Sequence, residues 1–317
     1  MGQSGRTRVW RALSLLVIAF PWMLGGCATG KWGYVDKTGS MSIPPQYDDA
    51  TPFTEGLAAV KAGDKWGYID RSGSTVIQPQ FDAAWRFRDG LAAVMKNGQW
   101  GYIDRSGSFV IQLAFEEARS FFEGLAPVRV DGKWGFINRS ADFIIKPGFD
   151  YADRFSEGLA AVKSGSHWGF VDKAGKMVIP PQFDGLLGFS EGLAGVQVGD
   201  KRGFIDRTGE VAVPPGFDLV LSFSEELAAV LAGSRWGYID QKGKMVISPR
   251  FEKAFPFRED LAPAKLDGKW GYIDKSGNFV IEPKFDGAYP FNEGLAMVRV
   301  GKAVGYIDKT GRYIRTL

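Results

Sequence analysis

Two chemically versatile residue types are almost missing from this chain of 317 residues, which has one cysteine, Cys27, and one histidine, His167. A single cysteine excludes an intramolecular disulfide, so the fold cannot depend on covalent cross-links. A single histidine argues against histidine-based catalysis, because a general base needs partner groups that are specific to one place. The sequence also lacks the P-loop, GxGxxG and HExxH motifs, so these nucleotide and zinc-protease signatures are absent.

Excess charge of one sign is also missing from most of the chain. The formal charge of +3 comes from the first 26 residues, which hold Arg6, Arg8 and Arg11 and no acidic residue. Without those arginines the basic and acidic residues are equal in number. Nucleic-acid binding requires clustered basic residues that displace counterions, so we expect no nucleic-acid partner.

The N-terminus resembles an export signal. Residues 12–24 form an apolar run of the length of a secretory hydrophobic region, and no later segment is apolar enough to span a membrane. The run ends in Leu24-Gly25-Gly26-Cys27, which resembles a bacterial lipobox. We therefore expect a lipoprotein signal peptide at 1–26, a lipidated Cys27 with a short tether at 27–30, and anchoring to a membrane through acyl chains. A plain signal peptide or an uncleaved anchor is the alternative.

The rest of the chain is a tandem repeat. A glycine recurs every 34 residues from Gly33 to Gly305, giving nine copies without an insertion. Tryptophan precedes this glycine in seven copies and forms a ladder, while Arg202 and Val304 replace it in the other two. The ladder tryptophans are Trp32, Trp66, Trp100, Trp134, Trp168, Trp236 and Trp270.

The local chemistry of the repeat favours strands, although helical-pair repeats can have the same period. Glycine or proline interrupts each unit several times, and either residue is costly inside a helix. In the first full unit, three short antiparallel strands are predicted at 56–61, 65–70 and 74–81, with an Asp-x-x-Gly turn between the last two. Both faces of these strands carry apolar residues, so neighbouring copies should cover them. The fold class is therefore all-β.

The phrases KWGYIDKSG and EGLA-x-V resemble the WG-repeat (KWG-repeat) proteins of bacteria. The resemblance covers residues 31–317 as nine copies, of which the first and last are incomplete. It implies a β-rich repeat protein, commonly exported, whose repeats act as interaction modules without a shared activity. Departures from the pattern include Leu113 in a proline position, and Glu226 and Asp260 in the glycine position of the EGL phrase.

Two arrangements of the copies are compatible with the sequence. The two chain ends do not supply complementary strands, and three strands are few for a propeller blade, which usually has four. We therefore expect an elongated, curved array of stacked units, with a propeller-like ring as the alternative.

No catalytic residue, metal site or cofactor is predicted, because the acidic residues recur in equivalent surroundings and suit turns and caps. His167 occupies a slot that holds Lys65 in another copy, so we interpret it as a solvent-facing replacement. The ladder tryptophans suit packing between units. Binding specificity is expected in a position that varies between copies, where Trp85, Phe255 and Tyr289 are the candidates.

The sequence thus predicts a non-catalytic, lipid-anchored protein of the bacterial cell envelope, at the outer membrane or the periplasmic face, that presents a surface to a protein partner. A carbohydrate- or peptidoglycan-binding module that uses exposed aromatic residues is the alternative.

Overall fold

The computed structural model describes residues 31–36 and 38–316, all of them in strands, turns and connecting segments rather than helices. It therefore offers no helix in this part of the chain that could cross a membrane. The predicted signal peptide at 1–26, Cys27 and the tether at 27–30 lie outside the described residues. The prediction of an all-β repeat fold is confirmed.

The strands form eight sheets of four strands, called sheets 1 to 8, and one two-stranded sheet, called the N-terminal pair. The N-terminal pair contains β1 (Trp32–Val35) and β2 (Met41–Tyr47). Sheets 1 and 2 contain β3 (Asp49–Ala50), β4 (Leu57–Ala62), β5 (Lys65–Asp70), β6 (Thr75–Phe81), and β7 (Ala83–Ala84), β8 (Ala92–Lys96), β9 (Gln99–Ile103), β10 (Phe109–Phe115). Sheets 3 and 4 contain β11 (Glu117–Ala118), β12 (Ala126–Val130), β13 (Lys133–Ile137), β14 (Phe143–Phe149), and β15 (Tyr151–Ser156), β16 (Leu159–Ser164), β17 (His167–Asp172), β18 (Met177–Phe183).

The second half of the chain repeats this order. Sheets 5 and 6 contain β19 (Gly185–Leu186), β20 (Ala194–Val198), β21 (Lys201–Ile205), β22 (Val211–Phe217), and β23 (Leu219–Val220), β24 (Ala228–Ala232), β25 (Arg235–Ile239), β26 (Met245–Phe251). Sheets 7 and 8 contain β27 (Lys253–Ala254), β28 (Ala262–Leu266), β29 (Lys269–Ile273), β30 (Phe279–Phe285), and β31 (Gly287–Ala288), β32 (Leu295–Val300), β33 (Ala303–Asp308), β34 (Tyr313–Thr316). Within each sheet the strands are antiparallel neighbours in chain order.

The glycine of the repeated WG dipeptide is required by the neighbouring strand. A Cβ atom on Gly67 would lie 2.5 Å from the carbonyl oxygen of Ile77 and 2.7 Å from the nitrogen of Pro79. The strand that contains Pro79 is bulged, since its pairing with β5 shifts register on both sides of Tyr68. That strand is also a sheet edge, as expected for a strand that contains proline.

The predicted Asp-x-x-Gly turn is confirmed. The Asp70 carboxylate accepts hydrogen bonds from the backbone N–H groups of Ser72, at 2.8 Å, and Ser74, at 3.0 Å. Gly73 has a φ of 84°, in the left-handed region that glycine enters without strain. Ala141 occupies the same position in sheet 3 with a φ of 67°, so that turn holds a strained residue.

Each full sheet has a fourth strand that the sequence reasoning did not predict. It has only two residues in most sheets, for example Ala83 and Ala84, which pair with Met95 and Val94. It directly follows the edge strand of the preceding sheet and starts the next one. Four strands per sheet is the number expected for a propeller blade.

Neighbouring sheets bury each other's faces, as predicted. Tyr68 and Ile69 are both fully buried, but they face opposite neighbours. Tyr68 packs forward against Phe87 of sheet 2, with ring centroids 4.9 Å apart, and Ile69 packs backward in a cluster with Tyr34. Equivalent aromatic pairs recur at eight junctions with centroids 4.7–5.0 Å apart. Such pairs contribute about 0.5–1.5 kcal/mol beyond their buried area.

The stack of sheets closes on itself. Val35 of β1 is buried in one cluster with Leu295 and Tyr306 of sheet 8, and Met41 of β2 packs against the same cluster. The other face of the N-terminal pair packs against sheet 1. Of the two arrangements left open above, these contacts are those of the propeller-like ring, and the elongated array is not what the structure has. Closure uses side-chain packing, so it does not need complementary strands from the two chain ends.

Candidate functional site

One position in each copy has a fixed backbone and a variable side chain, and we call it the variable slot. In sheet 2 it is Trp85, whose N–H donates to the carbonyl of Ala93 at 2.8 Å. The carbonyl of Trp85 accepts a hydrogen bond of 2.8 Å from the hydroxyl of Tyr68 in the preceding sheet. The slot holds Thr51, Trp85, Arg119, Asp153, Leu187, Leu221, Phe255 and Tyr289. Because these hydrogen bonds use only the backbone N–H and carbonyl of the slot residue, its side chain can vary without disturbing the sheet.

Side chains in the variable slot lie beside the ladder tryptophans. Trp85 stacks on Trp100 with centroids 6.4 Å apart and an interplanar angle of 25°. The guanidinium of Arg119 lies 4.8 Å from the centroid of the Trp134 ring. Slot and ladder residues therefore lie side by side within a sheet, and Arg119 of sheet 3 also contacts Asp153 of sheet 4 at 3.5 Å. We call the slot and ladder residues together the strip.

The ladder tryptophans belong to the packing between sheets. Trp134 and Trp270 are buried, with exposed fractions of 3% and 8%. The other five are partly buried, and each packs against a hydrophobic cluster. They are Trp32, Trp66, Trp100, Trp168 and Trp236.

Substitution of the ladder tryptophan has different consequences at its two sites. Arg202 replaces the ring with polar contacts, since its guanidinium donates to the side-chain oxygen of Gln197 at 2.9 Å and to the carbonyl of Asp218. Val304 is smaller than tryptophan, and a cleft of about 280 Å³ lies next to it between sheets 7 and 8. Among the residues that line this aromatic cleft are Phe255, Trp270, Tyr289, Met297, Arg299 and Val304.

The structure brings two of the three predicted binding residues together. Phe255 stacks on Trp270 at 5.3 Å and 28°, and Tyr289 lines the same cleft with 44% of its surface exposed. Trp85 lies apart from them in sheet 2 and is 45% exposed. Sequence reasoning missed Met297 and Arg299 as lining residues, although the loss of tryptophan at Val304 was a visible signal for this location.

The repeated acidic residues connect neighbouring sheets. The Asp82 carboxylate accepts hydrogen bonds from Lys65 Nζ of sheet 1 and from the N–H of Asn97 in sheet 2. The bond from Lys65, followed by that from Asn97, holds the pKa of Asp82 below its usual value. His167 takes the place of the lysine in sheet 4, half exposed and 3.8 Å from Asp184, in accord with its interpretation as a replacement.

The EGL phrase connects sheets in a similar way. The carboxylate of Glu55 accepts a hydrogen bond of 3.1 Å from the N–H of Gly90, which is 35 residues further along the chain. Residues 188–192 read GFSEG and match a nucleophile-elbow pattern in letters only, since the Ser190 hydroxyl donates to the carbonyl of Phe223 at 2.8 Å. Among the described residues, no group of three His, Cys, Asp or Glu side chains is placed to hold a metal ion.

Comparison with known proteins identifies the repeat. The family described as "WG containing repeat" matches residues 32–66, 66–100, 100–134, 134–166, 168–201, 203–234, 236–270 and 270–302. No curated protein matches the chain.

Solved structures resemble the ring. A eukaryotic initiation factor is similar with a TM-score of 0.66 and 13% identity, covering 90% of this chain and 92% of that one. The dihydro-haem d1 dehydrogenase NirN has a TM-score of 0.49 and 13% identity, covering 83% and 73% of the two chains. Hsv2p of Kluyveromyces lactis has a TM-score of 0.40 and 9% identity, covering 81% and 91%. At these identities the likeness to the first concerns the fold alone, which is β-propeller-like.

Proposed function

Because this chain belongs to the family of proteins built from WG containing repeats, we propose that it is a non-enzymatic binding scaffold of a bacterial envelope that presents its strip of slot and ladder residues to a protein partner. The observation that carries the proposal is the contrast within each copy. The aromatic pairs, acidic bridges and glycines that build the ring recur, whereas the variable slot changes from copy to copy on an exposed strip.

The strip has the composition of a protein interface. Trp85 and Tyr289 are each nearly half exposed, and Arg119 stacks on Trp134. Tryptophan, tyrosine and arginine are the residue types most enriched among side chains that dominate binding energy. Their backbones are held by hydrogen bonds, so little backbone freedom is lost when a partner binds.

Capture from solubilised envelope tests this proposal. The full-length protein should retain a defined protein partner, and Trp85→Ala or Tyr289→Ala should reduce that capture at least about tenfold, as expected for an interface hot spot. Val211→Ala is the matched control, because Val211 is 58% exposed on β22, outside the strip. Equal capture by all three variants would place the contact elsewhere and contradict the proposal.

The envelope location is the part of the proposal that rests on the N-terminal sequence. The sequence LGGC at 24–27 after an apolar run supports acylation of Cys27, and acyl chains contribute about 0.8 kcal/mol per buried methylene. Mass spectrometry of the protein from membranes should show a lipid-modified N-terminus at Cys27. The Cys27→Ala variant should lose that mass and leave the membrane fraction, and an unmodified N-terminus at another residue would contradict anchoring.

A carbohydrate ligand is the second candidate, and the aromatic cleft favours it. Phe255 and Tyr289 line one cleft beside the largely buried Trp270, and ring faces pack well against the apolar face of a sugar. N-acetylglucosamine oligomers should therefore quench tryptophan fluorescence in a saturable way.

A pair of substitutions isolates the cleft. Val304→Trp restores the ladder residue and should abolish sugar binding by filling the cleft. Arg202→Trp restores the ladder residue in sheet 5, away from the cleft, and should leave sugar binding unchanged. Unchanged quenching in Val304→Trp would exclude the cleft as the sugar site.

A further inference from the structure

Two arginines, one from sheet 2 and one from sheet 4, lie over one aromatic ring of sheet 3, and a third arginine lies close to them. The guanidinium carbons of Arg88 and Arg154 lie 5.5 Å and 4.4 Å from the centroid of Phe122. Arg86 is two residues before Arg88 in the connection between β7 and β8, and the pKa of Arg86 is lowered by burial and then by the charges of Arg88 and Arg154. We call Arg86, Arg88, Arg154 and Phe122 the arginine cluster.

The arginine cluster lies in a segment where neighbouring copies are in direct contact. The Ser156 hydroxyl donates to the carbonyl of Phe189, which is 33 residues further, at 2.9 Å. The next two copies repeat this contact through Ser190 and Ser224 at 2.8 Å. In a ring of radiating sheets, equivalent atoms are closest at the inner edges. The opposite edge strand faces solvent, since Val76 on β6 is 42% exposed, so the cluster lies at the inner edge of the ring.

The charges of the cluster lack matching carboxylates in the described part of the chain. Arg86 is half-buried, and its Nη1 atom is buried without a hydrogen-bond partner. Burial, and then the charges of Arg88 and Arg154, lower the pKa of Arg86 to about 10. Asp153 lies close enough to favour the charge of Arg154, but its carboxylate is 3.5 Å from Arg119. Asp89, next to Arg88 in sequence, accepts a hydrogen bond from the N–H of Gly124 at 3.0 Å.

The frame of the ring does not require these arginines. Arg154 is the equivalent of Arg86 two copies further along, and the other equivalents are small residues or proline: Pro52, Ser120, Gly188, Ser222, Pro256 and Pro290. Burying an unpaired cation is costly unless other groups compensate it. The face of Phe122 attracts the two guanidinium groups beside it, but it offers no oxygen to the N–H groups of Arg86.

We propose that the arginine cluster is a binding site for a small oxyanion, either a phosphate group or a pair of carboxylates, clamped by Arg86, Arg88 and Arg154. Guanidinium groups match both chemistries because they donate two parallel hydrogen bonds to adjacent oxygens. The site uses different residues from the partner surface proposed above but adjoins it, since Trp85 and Asp153 of the variable slot directly precede Arg86 and Arg154. Its ligand would add negative charge where the ring now carries like charges.

Calorimetric titration of the full-length protein tests this site, with inorganic phosphate and succinate as separate probes at constant ionic strength. Saturable binding of phosphate alone would identify a phosphate site, and saturable binding of succinate alone a dicarboxylate site. Arg86→Gln and Arg154→Gln should each weaken the bound probe at least about tenfold, because each loses charge-assisted hydrogen bonds. Arg312→Gln is the control, since the Arg312 side chain is 76% exposed in the turn before β34, and it should bind like the wild type.

A second measurement separates a binding defect from a folding defect. Without an added probe, Arg86→Gln should raise the urea midpoint, because it removes one of three like charges. The proposal is overturned if neither probe binds more tightly than chloride at the same ionic strength. It is also overturned if Arg86→Gln, folded with an unchanged or raised midpoint, binds the probe with wild-type affinity.

Discussion

The tyrosine hydroxyl between neighbouring sheets offers a direct measure of what holds one junction of the ring together. The hydroxyl of Tyr68 donates a 2.8 Å hydrogen bond to the carbonyl of Trp85, and the side chain is fully buried. Tyr68→Phe removes this bond and leaves the ring pair with Phe87 in place. A neutral hydrogen bond of this kind contributes about 1 kcal/mol, so the free energy of unfolding should fall by about that amount.

The chain itself supplies the reverse experiment. Phe170 occupies the same position in sheet 4, where its ring lies 4.7 Å from Phe189. Phe170→Tyr should place a hydroxyl near the carbonyl of Leu187 and raise the free energy of unfolding by up to about 1 kcal/mol.

Urea unfolding, followed by tryptophan fluorescence and circular dichroism together, measures both changes on the full-length protein. Tyr238→Phe removes the equivalent bond to Phe255, and the double variant with Tyr68→Phe should show the sum of the two losses because the sites are far apart. The reasoning is refuted if Tyr68→Phe leaves the midpoint unchanged, or if Phe170→Tyr lowers it as much as Tyr68→Phe does.

Three further outcomes follow from the backbone and the acidic bridges. Gly67→Ala should lower the free energy of unfolding by about 3 kcal/mol, because the new Cβ would meet backbone atoms of Ile77; a wild-type urea midpoint would contradict this. Ala141→Gly should raise the free energy of unfolding by about 1 kcal/mol, because glycine adopts the left-handed conformation without strain. A lower midpoint of thermal unfolding than in the wild type would contradict this. The depressed pKa of Asp82 means that its contribution is complete above its unfolded pKa of about 4 and is lost as pH falls through the lower folded value. Urea midpoints between pH 5 and pH 2 should therefore fall less steeply in Asp82→Asn, and identical profiles would contradict the bridge to Lys65.

Regular chemistry within one repeat could be predicted from the sequence. The hairpin of β4 and β5, the turn at Asp70 and the edge position of the proline strand follow from local rules on strand pattern, turn residues and missing N–H donors. The burial of both Tyr68 and Ile69 followed from apolar residues on both faces. These predictions required no knowledge of how distant copies meet.

Features that depend on distant copies could not be predicted in the same way. The two-residue strand Ala83–Ala84 has too little strand preference to be recognised locally and forms because β8 lies beside it. Ring closure depends on contact between Val35 and Leu295, which lie at opposite ends of the array of copies. The arginine cluster combines Arg86 and Arg154, which are two repeats apart, and only the ring brings them to one place.

The contact between the N-terminal pair and sheet 8 differs from every other junction of the described ring in one respect: no peptide link passes from one side to the other. Elsewhere, one residue such as Asp82 separates the last strand of a sheet from the first strand of the next. No strand pairing of the described residues crosses that seam, where Val35 and Met41 pack against sheet 8, so opening it would convert the circle into an arc without breaking any of these pairings. A deletion that reaches through β2 would remove the N-terminal pair and leave sheets 1 and 8 with uncovered apolar faces.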